Sequence, residues 1–191
     1  MSPDLISAIQ KNDKEAKRRL FDLYFSRFAA IAARYAKNAA QADELVDLAF
    51  KNCYAKIQHH RFDPSSDADI YLENEFISEC IAFVKNIRSE YYVSSTVHPN
   101  ANANSKNYNL FDNNELIDFN NVDTLCLITA LQKMVPAQRL VFNLHVIDGF
   151  SLLEVAAKLE TSEETVKSNL EKARFNFQKN IEKDLKSNSV I

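Results

Sequence analysis

The sequence predicts an all-helical protein built as two small helical domains joined by a flexible linker. Three observations carry this. The 191 residues include one glycine, four prolines and no tryptophan, a composition that suits long uninterrupted helices. Apolar residues recur at helical spacing through both ends of the chain. Between those ends, residues 98 to 121 hold nine asparagines, a residue that favours turns over helix interiors. The expected domains are residues 1–95, a linker over 96–121, and residues 122–191.

The N-terminal part reads as four helices. "SPDL" opens the first, with Ser2 as N-cap and Pro3 at the first helical position. The second runs from about Asp13 to Lys37, with Leu20, Tyr24, Phe28, Ile31 and Tyr35 on one face. The third spans Ala39 to His59. Its apolar side is Ala42, Val46, Ala49, Phe50, Cys53 and Ile57, and Asp43, Asp47 and Lys51 fall opposite. The fourth runs from about Asp67 to Tyr92, through Leu72, Phe76, Ile77, Cys80, Ile81 and Val84. After the linker, "VDTLCLITALQKM" is expected as a helix ended by Pro136. "AQRLVFNLHVID" follows as a helix ended by Gly149, which suits the left-handed position after a C-cap.

Composition and charge exclude several function classes. With Gly149 alone, no glycine-rich phosphate loop can be written. The formal charge is −3, and neither half is basic, so the chain lacks the electrostatic signature of a strong independent DNA binder. Three scattered cysteines, Cys53, Cys80 and Cys126, suggest neither a disulfide framework nor a zinc site; they read as small buried hydrophobes in a reducing, cytoplasmic setting. No apolar run reaches the roughly 20 residues of a membrane span, so no membrane insertion is expected. His59-His60 has no further metal ligands at a suitable spacing, and His145 reads as a core residue. With no nucleophile–base pair in sight, no enzyme activity, metal or cofactor is expected.

The most informative stretch is "GFSLLEVAAKLETSEETVKSNLEKARFNF", residues 149–177. Ser151 and Glu154 form a capping box. Leu152, Val155, Ala156 and Leu159 give one short helix an apolar face. The chain turns at Glu160-Thr161-Ser162, and Thr161 or Ser162 caps a second helix whose inner face is Val166, Leu170, Ala173 and Phe177. Its outer face carries Glu164, Ser168, Glu171, Lys172, Phe175 and Lys179, with Lys167, Asn169 and Arg174 beside it. This is the pattern of a helix-turn-helix, whose second helix enters the DNA major groove. The expected DNA-binding residues are Lys167, Ser168, Asn169, Glu171, Lys172, Arg174 and Lys179. A helical hairpin with a solvated, mixed-charge face fits the pattern equally.

These residues resemble a known family. "LQKMVPAQRLVFNLHVIDGFS", "EVAAKL" and "TVKSNLEKAR" are similar to the C-terminal DNA-binding domain, region 4, of bacterial RNA polymerase sigma factors, in the extracytoplasmic-function group of the sigma-70 family. "LFDLYFSRFAAIAARYAKNAAQADELVDLAFKNCYAKI" resembles the family's polymerase-binding region 2. "IYLENEFISECIAFVKNIRS" aligns more weakly with its promoter-melting segment. The resemblance implies a transcription initiation factor with core RNA polymerase (the β′ clamp helices and β flap) and promoter DNA as partners, and an anti-sigma factor as a further candidate. It implies polymerase contacts through Asp43, Glu44, Asp47 and Lys51, and strand contacts through Tyr71, Lys85 and Arg88. The sequence departs from the pattern at Glu160, where glycine is usual, and at Glu164, where a small residue is common. It departs again in the melting segment, where Glu73, Glu75 and Glu79 are expected to repel a DNA strand. Those three carboxylates keep an alternative open: a sigma-like adaptor that binds polymerase or another regulator without melting DNA.

Overall fold

The computed structural model describes residues 1–59, 68–86 and 122–188, and every residue with assigned secondary structure there is helical. The chain divides into two compact units, Met1–Val84 and Lys85–Ile191. The expected linker, the domain boundaries at 95 and 121, Arg88, His60 and the stretch 87–92 of the expected fourth helix lie outside the described residues.

In the first unit, α1 (Pro3–Gln10) starts where Ser2 accepts from the Leu5 amide at 3.3 Å. It stops at Asn12, which holds a left-handed φ of 64°, a conformation asparagine tolerates. Asp13 caps α2 (Lys14–Tyr35), accepting from the Ala16 amide at 2.8 Å. Asn38 caps α3 (Ala39–Gln58), accepting from the Gln41 amide at 3.0 Å. The last is α4 (Ala68–Asn86). Every apolar position read from the α2 and α4 periodicity is buried. Aromatic rings join the helices: Phe28 of α2 stacks on Phe76 of α4 at 4.5 Å and meets Phe50 of α3 at 5.2 Å. Such rings contribute roughly 1.5–3 kcal/mol each by burial. Leu45 of α3 is fully buried as well.

Polar contacts run along both sides of this apolar seam. The Tyr24 hydroxyl donates to Asp69. Arg27 pairs with Glu73, and Lys56 pairs with Glu75 and, at 3.7 Å, with Glu79. Together they stitch α4 to α2 and α3.

In the second unit, α5 (Thr124–Gln132) ends four residues before Pro136. Pro136 does not stop that helix; it occupies the first turn of α6 (Pro136–Phe142), where its missing N–H costs nothing. The C-terminal end of α5 is closed by Arg139, only 3% exposed, which donates to the carbonyls of Gln132 and Met134 at 3.1 and 3.0 Å. The expected single helix over 137–148 is corrected in its second half: Asn143–Ile147 forms a π-helical turn. There the Asp148 amide reaches back five residues to the Asn143 carbonyl at 2.8 Å, and the Asn143 side chain donates to the Arg139 carbonyl at 2.8 Å. Gly149 then takes the expected left-handed φ, 79°.

Two cysteines differ from expectation. Cys80 is buried, whereas Cys53 and Cys126 are half-buried. His145 is also not a core residue. It is half-buried, and its Nδ1 donates to the Phe150 carbonyl at 2.8 Å, tying down the turn before the hairpin.

Candidate nucleic-acid interface

The hairpin is α7 (Leu152–Leu159) and α8 (Glu163–Asn188). Its start is the capping box. The Ser151 hydroxyl accepts from the Glu154 amide at 3.3 Å, and the Glu154 carboxylate accepts from the Ser151 amide at 2.8 Å. The Ser151 hydroxyl also donates to that carboxylate at 2.7 Å, and this bond first, then the one from the Ser151 amide, holds the Glu154 carboxyl below the usual carboxylate range. The turn between the helices needs a left-handed residue, and Glu160 supplies it at φ 56°, ψ 48°. Sidechain-bearing residues pay for that geometry, as the absence of glycine there leads one to expect. Of the two candidate caps for α8, Ser162 acts: its hydroxyl accepts from the Thr165 amide at 3.2 Å.

Both inner faces fold as the spacing predicts. Val155, Ala156, Leu159, Val166, Leu170, Ala173 and Ile181 are buried. Phe177 packs on a cluster of Leu131, Met134, Phe142 and Ala173, with the Phe142 and Phe177 rings 4.8 Å apart. Polar pegs fix the rotation of α8. Asn176 donates to Gln138 at 2.8 Å, and Asn180 donates to the Ala130 carbonyl at 3.0 Å. Because α8 cannot turn about its axis without breaking these bonds, its outer face is defined.

That outer face exposes Glu164, Lys167, Ser168, Glu171, Lys172, Arg174, Phe175 and Lys179. Asn169 differs: it is half-buried, and its amide donates to the Thr165 carbonyl at 3.0 Å, so one of its two N–H donors is used within the helix. Lys167 pairs with Glu163 at 2.9 Å. The Lys179 ammonium lies 5.8 Å from the Phe175 ring centre.

In the first unit, Asp43, Glu44, Asp47 and Lys51 are all exposed on α3, opposite its buried side. On α4, Tyr71 and Lys85 are half-buried, and Tyr71 borders a small cleft with Cys53, Lys56, Glu75 and Glu79. Burial pushes the Cys53 thiol up to about 12. The carboxylates of α4 are not presented as expected. Glu73, Glu75 and Glu79 are half-buried and face cations of α2 and α3. The solvent ridge of α4 is instead Ile70, Asn74, Ser78 and Ala82. The four-residue spacing of that ridge is present in the sequence, interleaved with the glutamates.

Against known proteins, residues 124–174 match the family model described as "Sigma-70, region 4". That segment begins with α5 and runs through the hairpin into α8. No curated protein matches the sequence. Among solved structures, the chain is similar to the sigma factor RpoE in a co-crystal structure with the anti-sigma factor NepR from Bartonella quintana. The identity is 19%, the TM-score 0.51, and the match covers 86% of this chain and 96% of that one. It is also similar to CnrH in complex with the cytosolic domain of CnrY, at 16% identity and a TM-score of 0.47, covering 94% of this chain and 96% of that one. The family match therefore extends over residues 124–174, the part of the chain that carries the hairpin. The likeness to RpoE is one of fold.

Proposed function

We propose that the protein is a sigma factor that binds core RNA polymerase and directs promoter-specific transcription initiation. The observation that carries this reading is a coincidence in one segment. The stretch that matches sigma-70 region 4 is also the stretch that folds as a capped helix-turn-helix with exposed cations on its second helix. In this reading α8 enters the major groove of an upstream promoter element, where lysines and arginine neutralise phosphates and position the helix. The exposed stripe Asp43, Glu44, Asp47 and Lys51 on α3 docks on the polymerase clamp. Tyr71, Lys85 and Arg88, with the neutral ridge of α4, face the displaced strand, where an aromatic ring can stack on an unpaired base. Residues 1–95 and 122–191 act as the two working domains and 96–121 as their tether. An anti-sigma factor is the regulator this reading expects, and the cytoplasm the compartment. The chain itself carries out no catalytic step.

The adaptor alternative drew on the acidic melting segment. Pairing of Glu73 with Arg27, and of Glu75 and Glu79 with Lys56, takes most of that support away.

Transcription by core polymerase with and without the chain, on fragmented genomic DNA, tests the proposal. Defined new start sites are the expected result. Polymerase binding without initiation would favour the adaptor, and no polymerase binding would end both readings. Asp47→Lys should weaken association with core polymerase and leave the folded content unchanged, as read by titration and circular dichroism.

A further inference from the structure

The charges on the outer face of α8 are ordered. Glu164, Ser168, Glu171 and Phe175 follow one another at intervals of four, three and four, so they form one stripe, and all are exposed. At about 100° per residue, Lys167 and Arg174 lie roughly 60–80° to one side of that stripe, and Lys172 and Lys179 lie equally far to the other. Acid runs down the middle and base runs along both edges.

Local helix stability accounts for only part of this. Glu164 stands in the first turn, where a carboxylate favours the helix dipole, but that effect fades within a turn and does not reach Glu171. Side-chain pairing does not account for Glu171 either. Lys167, four residues before it, is turned to Glu163 at 2.9 Å. Among the described residues, no hydrogen bond or ion pair of Glu171 or Glu164 is found.

We propose that Glu171, with Glu164 and Ser168, forms a base-reading ridge that selects exocyclic amino groups, the N4 of cytosine or the N6 of adenine. The cationic edges hold the phosphates of the two strands. The proposal rests on the reading of α8 as a DNA-reading helix and names what that helix selects. A helix about 10–12 Å across fills a major groove about 12 Å wide. Its central stripe then faces the base edges and its flanks face the two backbones. An ionised carboxylate only accepts hydrogen bonds. Guanine offers it N7 and O6, and thymine offers O4, all acceptors; only cytosine and adenine offer donors in that groove.

The test selects duplexes from a randomised library with core polymerase carrying the full-length chain. Wild type should enrich cytosine or adenine at one or two adjacent positions. Glu171→Ala should make one of those positions indifferent, a loss of roughly tenfold in discrimination, while tightening binding to unselected duplexes. Glu171→Gln should move the preference toward adenine, which a side-chain amide pairs at N6 and N7. If the selected sequence is unchanged in Glu171→Ala and Glu164→Ala and only affinity rises, the carboxylates merely repel and the ridge proposal is wrong, while the DNA reading stands. A different pattern overturns the DNA reading and the proposal together. In that pattern wild type enriches nothing, and Lys172→Ala and Arg174→Ala fail to reduce the salt slope by about one each.

Discussion

The carboxylates of α4 and those of α8 are the same chemical groups put to opposite uses. On α4, Glu73, Glu75 and Glu79 are half-buried and face Arg27 and Lys56 of neighbouring helices. On α8, Glu164 and Glu171 stand exposed beside lysines that do not hold them. Along the sequence α4 carries four carboxylates against one lysine, and α8 five carboxylates against six cations. Only packing separates an acid neutralised within its own domain from one offered to a partner. The helix whose acids looked most hostile to DNA presents a neutral ridge of Asn74, Ser78 and Ala82. The helix with the stronger claim on DNA keeps its acids in the open.

The cations divide in the same way, and the largest expected effect lies there. Arg139 is buried, and it closes the C-terminal end of α5 with two carbonyl contacts. Arg174, on α8, is exposed. Arg139→Ala should therefore cost about 3 kcal/mol, because it leaves buried carbonyls unpaired and opens a cavity under α8. Arg174→Ala should change stability by less than about 0.5 kcal/mol. Urea unfolding of the two variants measures the difference. Equal midpoints would mean that Arg139 holds nothing together.

A second effect separates the domains by pH. Burial raises the Cys53 thiol from 9.0 to about 12. The folded state therefore favours the protonated thiol more than the unfolded chain does. That contribution is complete below pH 9 and is lost as pH climbs toward 12, about 1 kcal/mol being gone by pH 10. Lys56 sits beside it. Burial works against its charge, but the bond to Glu75 and the nearness of Glu79 leave it raised, so its contribution also disappears only on the alkaline side. The stability of the first unit should fall as pH climbs above 9, and Cys53→Ala should flatten that slope.

The turn of the hairpin offers a gain instead of a loss. Glu160 holds a left-handed backbone that glycine adopts freely. Glu160→Gly should stabilise the protein by about 0.5–1 kcal/mol, the relief of strain exceeding the added freedom of the unfolded chain. Thermal unfolding checks the sign. An unchanged or lower midpoint would mean the glutamate side chain holds the turn through contacts of its own.

What could be read beforehand followed from periodicity. Leu20, Tyr24, Phe28, Ile31 and Tyr35 fixed the inner face of α2, and Val166, Leu170 and Ala173 fixed that of α8. Local chemistry was equally legible: the Ser151–Glu154 capping box, the left-handed Gly149 and the strained Glu160 each depend on residues within a turn. What was hidden depended on partners distant in sequence. Arg27 and Glu73 are 46 positions apart, and nothing local announces that they meet. Proline both ends helices and begins them, and the loop before Pro136 decides which. The π-helical turn at Asn143–Ile147 was invisible because its apolar run also fits an ordinary helix. Of the candidate sites, exposure of Asp43, Glu44, Asp47 and the outer face of α8 followed directly from helical spacing. The bond from Asn169 to Thr165 did not, since rotamer choice leaves no trace in the pattern.

The smallest expected effect is the sharpest test of the opening contrast. Glu75→Ala removes a half-buried carboxylate that shares Lys56 with Glu79. The lysine keeps one partner, at 3.7 Å, so the expected cost is modest, about 1 kcal/mol. Glu171→Ala removes an exposed carboxylate with lysines nearby and no ion pair, and alanine is the better helix former. Its effect on stability should be less than about 0.5 kcal/mol and of either sign. Salt distinguishes the two further. Added salt screens exposed charges more than sheltered ones, so the cost of Glu75→Ala should survive from low to physiological ionic strength, whereas any small effect of Glu171→Ala should fade. Denaturant melts of both variants at two salt concentrations read this directly. If Glu171→Ala proves the more costly, its carboxylate is part of the fold after all. The acids of α8 would then belong with those of α4, and a ridge held ready for DNA would lose its physical basis.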